Sequence, residues 1–184
     1  MGGVAAVAVT CGVMLLGCAT DNGGSTGTSG SGRVRVAGPA RTSLFEPGEE
    51  VPSFSAPALG GGRIEWETYR GRPVVLVLWM LSCPHCRAEL PVLASVAKDF
   101  TNVALVAITC GIGQGELSSV EEYMEDGGLT FPVAVDDESD TLARAFGIRY
   151  VPTIYFVESD GRVFRVVEGE SPEATLRGLF EALD

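Results

Sequence analysis

The chain has 184 residues, is 46% hydrophobic and carries a formal net charge of −11. That length suggests one domain with accessory segments, and the apolar share fills a core of ordinary size. No basic run or stripe is present, so nucleic acid is excluded as a partner.

Residues 4–18 read VAAVAVTCGVMLLGC, an apolar run of signal-peptide length and short for a spanning helix. The run ends in Leu15-Leu16-Gly17-Cys18 and leads to residues 21–32, DNGGSTGTSGSG, which hold no apolar side chain. Such a stretch buries too little surface to offset its ordering entropy and reads as a flexible tether. This order resembles a bacterial lipoprotein signal. The resemblance implies cleavage before Cys18, lipidation of its thiol, and a globular domain anchored to the outer, periplasmic side of a membrane. No Lys or Arg precedes the run and Leu16 is bulky for such a signal, so an uncleaved anchor, an ordinary secretory signal or a cytoplasmic apolar start stays open. The expected organisation is a signal over 1–18, a flexible tether and lead-in over 19–50, and the folded domain over 51–184.

Residues 33–62 hold Gly and Pro at short intervals and read as an irregular lead-in. Residues 63–69 suit a short strand and turn. Val74–Trp79 (VVLVLW) is a continuous apolar run of strand length, as in a parallel sheet buried on both faces. A helix follows at once, with Cys83 at its cap and Pro84 at its first position, where a missing N–H costs nothing. Leu90, Leu93, Val96, Ala97 and Phe100 share one helical face, and Pro91 is expected to kink that helix. Residues 103–109 read as a second buried strand, 116–126 as an amphipathic helix, 131–135 as a short strand and 138–146 as a short helix. The acidic residues between 116 and 140 read as a solvated face. Residues 153–157 and 162–167 form a hairpin through Ser159-Asp160-Gly161. Ser171 caps and Pro172 starts a last helix that turns Leu176, Leu179, Phe180 and Leu183 inward. Parallel units followed by an antiparallel hairpin give an α/β fold with a mixed central sheet flanked by helices.

Five cysteines are present: Cys11, Cys18, Cys83, Cys86 and Cys110. Cys83 and Cys86 form a single C-x-x-C at the start of a helix. The first thiol there sits beside unpaired backbone N–H groups and the positive end of the helix dipole, which favour thiolate. Cys83 is therefore the expected nucleophile and Cys86 the resolving thiol. His85, the one histidine of the chain, stands between them and is expected to donate toward, or place charge near, the Cys83 sulfur. Cys110 reads as a small buried hydrophobe, with a disulfide relay as the alternative.

The pattern is similar to the thioredoxin superfamily, and within it to the TlpA/ResA-like extracytoplasmic oxidoreductases, from Val51 to Leu183. The residues that carry the resemblance are Trp79 four positions before Cys83, Cys83-Pro84-His85-Cys86, Pro91 five positions after Cys86, Val151-Pro152-Thr153, Gly161 and Gly169. It implies the thioredoxin fold with a TlpA-like inserted strand and helix, supplied by residues 116–135. It also implies a cis bond at Pro152, whose loop, with Val151, lies against the thiols and receives an extended substrate. Trp79, Pro84 and His85 join that loop as tuning positions. Three departures stand out. Ser82 replaces a bulky residue before the first cysteine. Val77 replaces a buried Asp that serves the second thiol, a task for which Glu89, one turn after Cys86, is the candidate. The Pro-His dipeptide is that of the oxidant DsbA.

The expected function is thiol–disulfide exchange with protein dithiols and disulfides outside the cytoplasm, as a reductant with cytochrome c maturation as a possible setting. A DsbA-like oxidant is the alternative. No cofactor is expected: no G-x-G-x-x-G and no P-loop occurs, so electrons must be delivered, and the resemblance implies a membrane electron-transfer protein as their source. Soft-metal binding such as Cu(I) at Cys83, His85 and Cys86 is a competing reading, weakened because no second histidine exists. No metal site is assigned. A thiol peroxidase is disfavoured, since the Thr and Arg expected around a peroxidatic cysteine are not evident.

Overall fold

The structure is a computed structural model that describes residues 1–3, 33–111 and 116–184. The signal-like run over 4–18, Cys18 and the tether over 21–32 lie outside the described residues. Among the described residues no helix is long and apolar enough to cross a membrane.

The apolar runs form the centre of the molecule. Strand β4 (Val74–Trp79) and strand β5 (Ala104–Thr109) pair in parallel, and every residue of both is buried. Between them runs helix α1 (Pro84–Ala97), the crossover that a parallel pair requires. Helix α2 (Leu117–Asp126) and strand β6 (Val133–Val135) follow, with β6 parallel to β5. After helix α3 (Thr141–Ala145), strands β7 (Thr153–Val157) and β8 (Val163–Glu168) form the expected hairpin, with Gly161 in its turn at φ +89°. β7 runs antiparallel to β4, so the sheet order is β6-β5-β4-β7-β8. Helix α4 (Glu173–Leu183) closes the chain. This is the α/β thioredoxin fold, a mixed sheet flanked by helices, with α2 and β6 where the inserted helix and strand were expected.

Alternation along β4 splits the core into two layers. Val75, Val77 and Trp79 face Leu90, Leu93 and Val96 of α1 and Leu176, Phe180 and Leu183 of α4. Val74, Leu76 and Leu78 face the opposite way, against Leu142 and Phe146.

Four expectations change. First, the lead-in is folded. Strand β1 (Arg35–Val36), strand β2 (Phe54–Pro57) and strand β3 (Arg63–Glu65) form an antiparallel three-stranded sheet over the second face, followed by a 3₁₀ turn over Trp66–Tyr69. Val34 and Phe45 are buried in that core, so residue 51 is not where packing begins. Strands this short carry no period to read. Second, α4 starts one residue later than expected. Pro172 has ψ 137° and is the cap, while the Ser171 N–H turns to the Glu89 carboxylate. Third, the acidic face is not wholly solvated: Asp136 is buried, and its carboxylate accepts the N–H groups of Leu142 and Ala143 at 2.9 Å, capping α3. Fourth, α1 ends at Ala97, short of Phe100, and has Pro91 inside it, as expected. The Arg87 carbonyl, which Pro91 cannot serve, accepts the Tyr123 hydroxyl of α2 at 3.0 Å.

Candidate active site

The site lies at the C-terminal ends of β4 and β5, where α1 begins. β4 is buried on both faces and ends at Trp79. A turn, in which the Cys83 N–H donates to the Met80 carbonyl at 3.2 Å, then delivers Cys83 to the cap of α1. Pro84 takes the first helical position, as its fixed φ favours.

Cys83 is half-buried and Cys86 is fully buried; both thiols, with that of Cys110, are unpaired. The Cys86 N–H donates to Cys83 Sγ at 3.3 Å, so one of the helix's orphan donors faces the exposed sulfur. The Cys83 thiol donates in turn to the Val151 carbonyl at 3.6 Å. The Val151–Pro152 bond is cis, and Thr153 pairs with Leu78 of β4, which sets this loop beside the thiols. Tyr150, next to it, is 71% exposed. The two thiols are thus unequal. Burial, and then the hydrogen bond and charge of Cys83, push the Cys86 thiol up to about 12. A buried thiol of that kind stays protonated until a base or a mixed disulfide changes its surroundings.

Glu89 lies one turn beyond Cys86 and is only 2% exposed. Burial raises its carboxyl above the ordinary range. The Ser171 N–H, 3.3 Å from both carboxylate oxygens, pulls it down, and the nearby charge of Glu170 pushes it up again. Val77, in the place where the resemblance puts a buried Asp, is fully buried and apolar.

The Cys83 sulfur's hydrogen-bond partners are the Val151 carbonyl and the Cys86 N–H, not His85. The His85 Nδ1 lies 2.5 Å from Glu170 Oε1, and its side chain is 72% exposed. Trp79 is fully buried, with its ring 5.6 Å from that of Tyr123, in the same core layer as Cys86. Cys110 is buried in the opposite layer of the core from Cys86. Burial, with Asp136 and Asp140 nearby, holds its thiol well above the ordinary value. Among the described residues, no three His, Cys, Asp or Glu side chains gather as metal ligands would.

Sequence reasoning brought together Cys83, Pro84, Cys86, Val151 and Pro152, and it named Gly169 and Ser171 but missed what the segment Gly169–Ser171 touches. Its Gly169 N–H donates to the Pro152 carbonyl at 2.8 Å, its Glu170 carboxylate meets His85, and its Ser171 N–H meets Glu89. The local signals were a glycine at its start and a proline just after it, which announce a turn and say nothing of its partners.

The profile of the AhpC/TSA family matches residues 47–166. The thiol-disulfide oxidoreductase ResA of Bacillus subtilis (strain 168) is 28% identical over 129 residues, 70% of this chain and 71% of that protein. Among solved structures, MTB dsbF is 30% identical with a TM-score of 0.63, covering 71% of this chain and 95% of its own. A secreted Mycobacterium tuberculosis disulfide oxidoreductase homologous to E. coli DsbE is 26% identical with a TM-score of 0.62, covering 71% and 96%.

Proposed function

This chain belongs to the AhpC/TSA family of the thioredoxin superfamily and is a thiol–disulfide oxidoreductase, and from that premise we propose that Cys83 and Cys86 carry the exchange, outside the cytoplasm, as a reductant of protein disulfides. The observation that carries this reading is the inequality of the two thiols on one helical turn: Cys83 half-exposed and accepting a helix N–H, Cys86 buried and held protonated.

The Cys83 thiolate attacks one sulfur of a substrate disulfide. The substrate S–S bond breaks, one substrate sulfur leaves as thiolate, and a mixed disulfide joins Cys83 to the other. Cys86 then loses its proton and attacks Cys83 Sγ, releasing the second substrate thiol. Two electrons pass to the substrate, which gains two protons, and Cys83–Cys86 becomes a disulfide. Glu89 is the nearest buried carboxyl along α1 and is the base that accepts the Cys86 proton. The Val151 carbonyl and Pro152 loop, beside Cys83, provide an edge for an extended substrate, with Tyr150 at its rim.

A membrane electron-transfer protein re-reduces the pair, and lipid on Cys18 keeps the domain beside it. Cytochrome c maturation is one setting that suits such a reductant. The relative described as secreted supports the extracytoplasmic placement. Equilibration against thiol redox buffers tests the reading. A reversible two-electron couple near thioredoxin's roughly −270 mV is expected; one near DsbA's roughly −120 mV would make the protein an oxidant. Cys83→Ser should abolish exchange, and Cys86→Ser should accumulate mixed disulfides. A chain with no reversible couple would sink the proposal.

A further inference from the structure

His85 follows Pro84 in the first turn of α1, beside the sulfur that attacks. An imidazole there that donated to the thiolate would stabilise the reduced form and make the couple more oxidising. The structure shows a different arrangement. His85 Nδ1 is taken by Glu170 Oε1 at 2.5 Å, while Cys83 Sγ receives the Cys86 N–H and gives its own proton to the Val151 carbonyl. A carboxylate only accepts, so this contact requires the proton on Nδ1 and fixes the ring's orientation.

Glu170 is itself held. The residue before it donates its N–H to the Pro152 carbonyl at 2.8 Å, and the residue after it donates to Glu89 at 3.3 Å. Three consecutive residues thus grip the Pro152 loop, the inter-cysteine position and the buried carboxyl of α1. A loop bracketed in this way can hold a side chain where a free surface residue could not.

We propose that Glu170 is a positioning residue that holds the His85 imidazole off the Cys83 sulfur, making the couple more reducing than the Pro-His dipeptide alone would set. The inference rests on Cys83–Cys86 being the redox couple. A second effect runs beside it: the carboxylate's own charge acts on the thiolate through space. Both side chains are exposed, 72% for His85 and 46% for Glu170, so water and salt screen that longer-range effect. Direct donation to sulfur is the larger effect, and Glu170 prevents it.

The test measures the potential of the full chain against glutathione buffers, reading the redox state of the peptide that carries Cys83 and Cys86. Glu170→Ala frees the ring and should shift the equilibrium at least threefold toward the dithiol, about 14 mV at about 30 mV per tenfold. Glu170→Gln keeps an acceptor on Nδ1 and should stay near wild type. In a His85→Ala background, Glu170→Ala should have no effect. An unchanged or more reducing Glu170→Ala protein overturns the proposal. So does an equal shift in Glu170→Gln or in the His85→Ala background, since the carboxylate would then act by charge and not through the ring. A wild-type chain with no reversible couple would overturn both this proposal and the function it rests on.

Discussion

Glu89 brings a carboxyl into a place where charge is costly. It is 2% exposed, and among the described residues the Ser171 N–H donates to it. Its folded value is raised above the ordinary 4.5, mainly by burial. The sign follows from linkage. A carboxyl that binds its proton more tightly when folded contributes its full stability below the ordinary value, and that contribution is lost as pH rises through the raised one. Glu89→Gln keeps an oxygen for Ser171 and cannot charge. Its melting temperature should therefore match wild type at pH 4 and exceed it at pH 8; a constant gap across that range would refute the buried-carboxyl account. If Glu89 also takes the Cys86 proton, the same variant resolves mixed disulfides more slowly while Cys83 alkylation is unchanged. Sequence spacing was enough to put Glu89 one turn beyond Cys86. It was not enough to show its burial, because Ser171 is 82 residues away and nothing local marks the contact.

Among the elements, α1 and α2 show how an insertion becomes part of a site. Pro91 has no N–H, so the Arg87 carbonyl lacks its helical donor. Tyr123 of α2 supplies one at 3.0 Å, and its ring packs against Trp79. The pairing reads as compensation: the proline opens a carbonyl, and the inserted helix closes it. Tyr123→Phe should lose about 0.5–1 kcal/mol of unfolding free energy by urea denaturation, the usual net value of one hydrogen bond. In a Pro91→Ala background the helix regains its own donor, so the same change should cost little. Equal losses in both backgrounds would show that the hydroxyl acts elsewhere. Helix α2 was legible from its apolar spacing, and Pro91 from the motif, but their meeting was not, since periodicity names a buried face and not its partner. The α4 start was misplaced for a related reason. Ser171-Pro172 has the composition of a cap and first turn, and the Ser171 N–H was already engaged by α1.

At the scale of the whole molecule, the segment before residue 51 is structural. Gly48 N–H donates to the Val163 carbonyl and Val163 N–H to the Glu49 carbonyl, which covers the start of the outer edge of β8. Further along, Leu59 N–H donates to the Val133 carbonyl on β6, at the opposite edge of the sheet. Each margin of the five-stranded sheet is therefore met by this segment at one point, the start of β8 and the start of β6. Phe45 pins this wrap. It is buried, its ring lies 5.8 Å from Phe146 and 6.2 Å from Tyr155, and the Arg41 guanidinium stands 4.0 Å above it. None of this was readable in advance, because strands of two to four residues have no period, and nothing local marks Gly48 and Glu49 as partners of Val163. Phe45→Ala should lower the unfolding free energy by about 3–5 kcal/mol, the ordinary range for a buried Phe. Such a loss is a large part of the 5–15 kcal/mol or so that holds a domain together. Glu46→Ala, one residue on and exposed, should change it by less than about 0.5 kcal/mol. A flexible lead-in would make the two substitutions indistinguishable in a urea titration. A folded one separates them by several kcal/mol, and the steeper loss should come with a greater tendency to self-associate as β8 loses its cover.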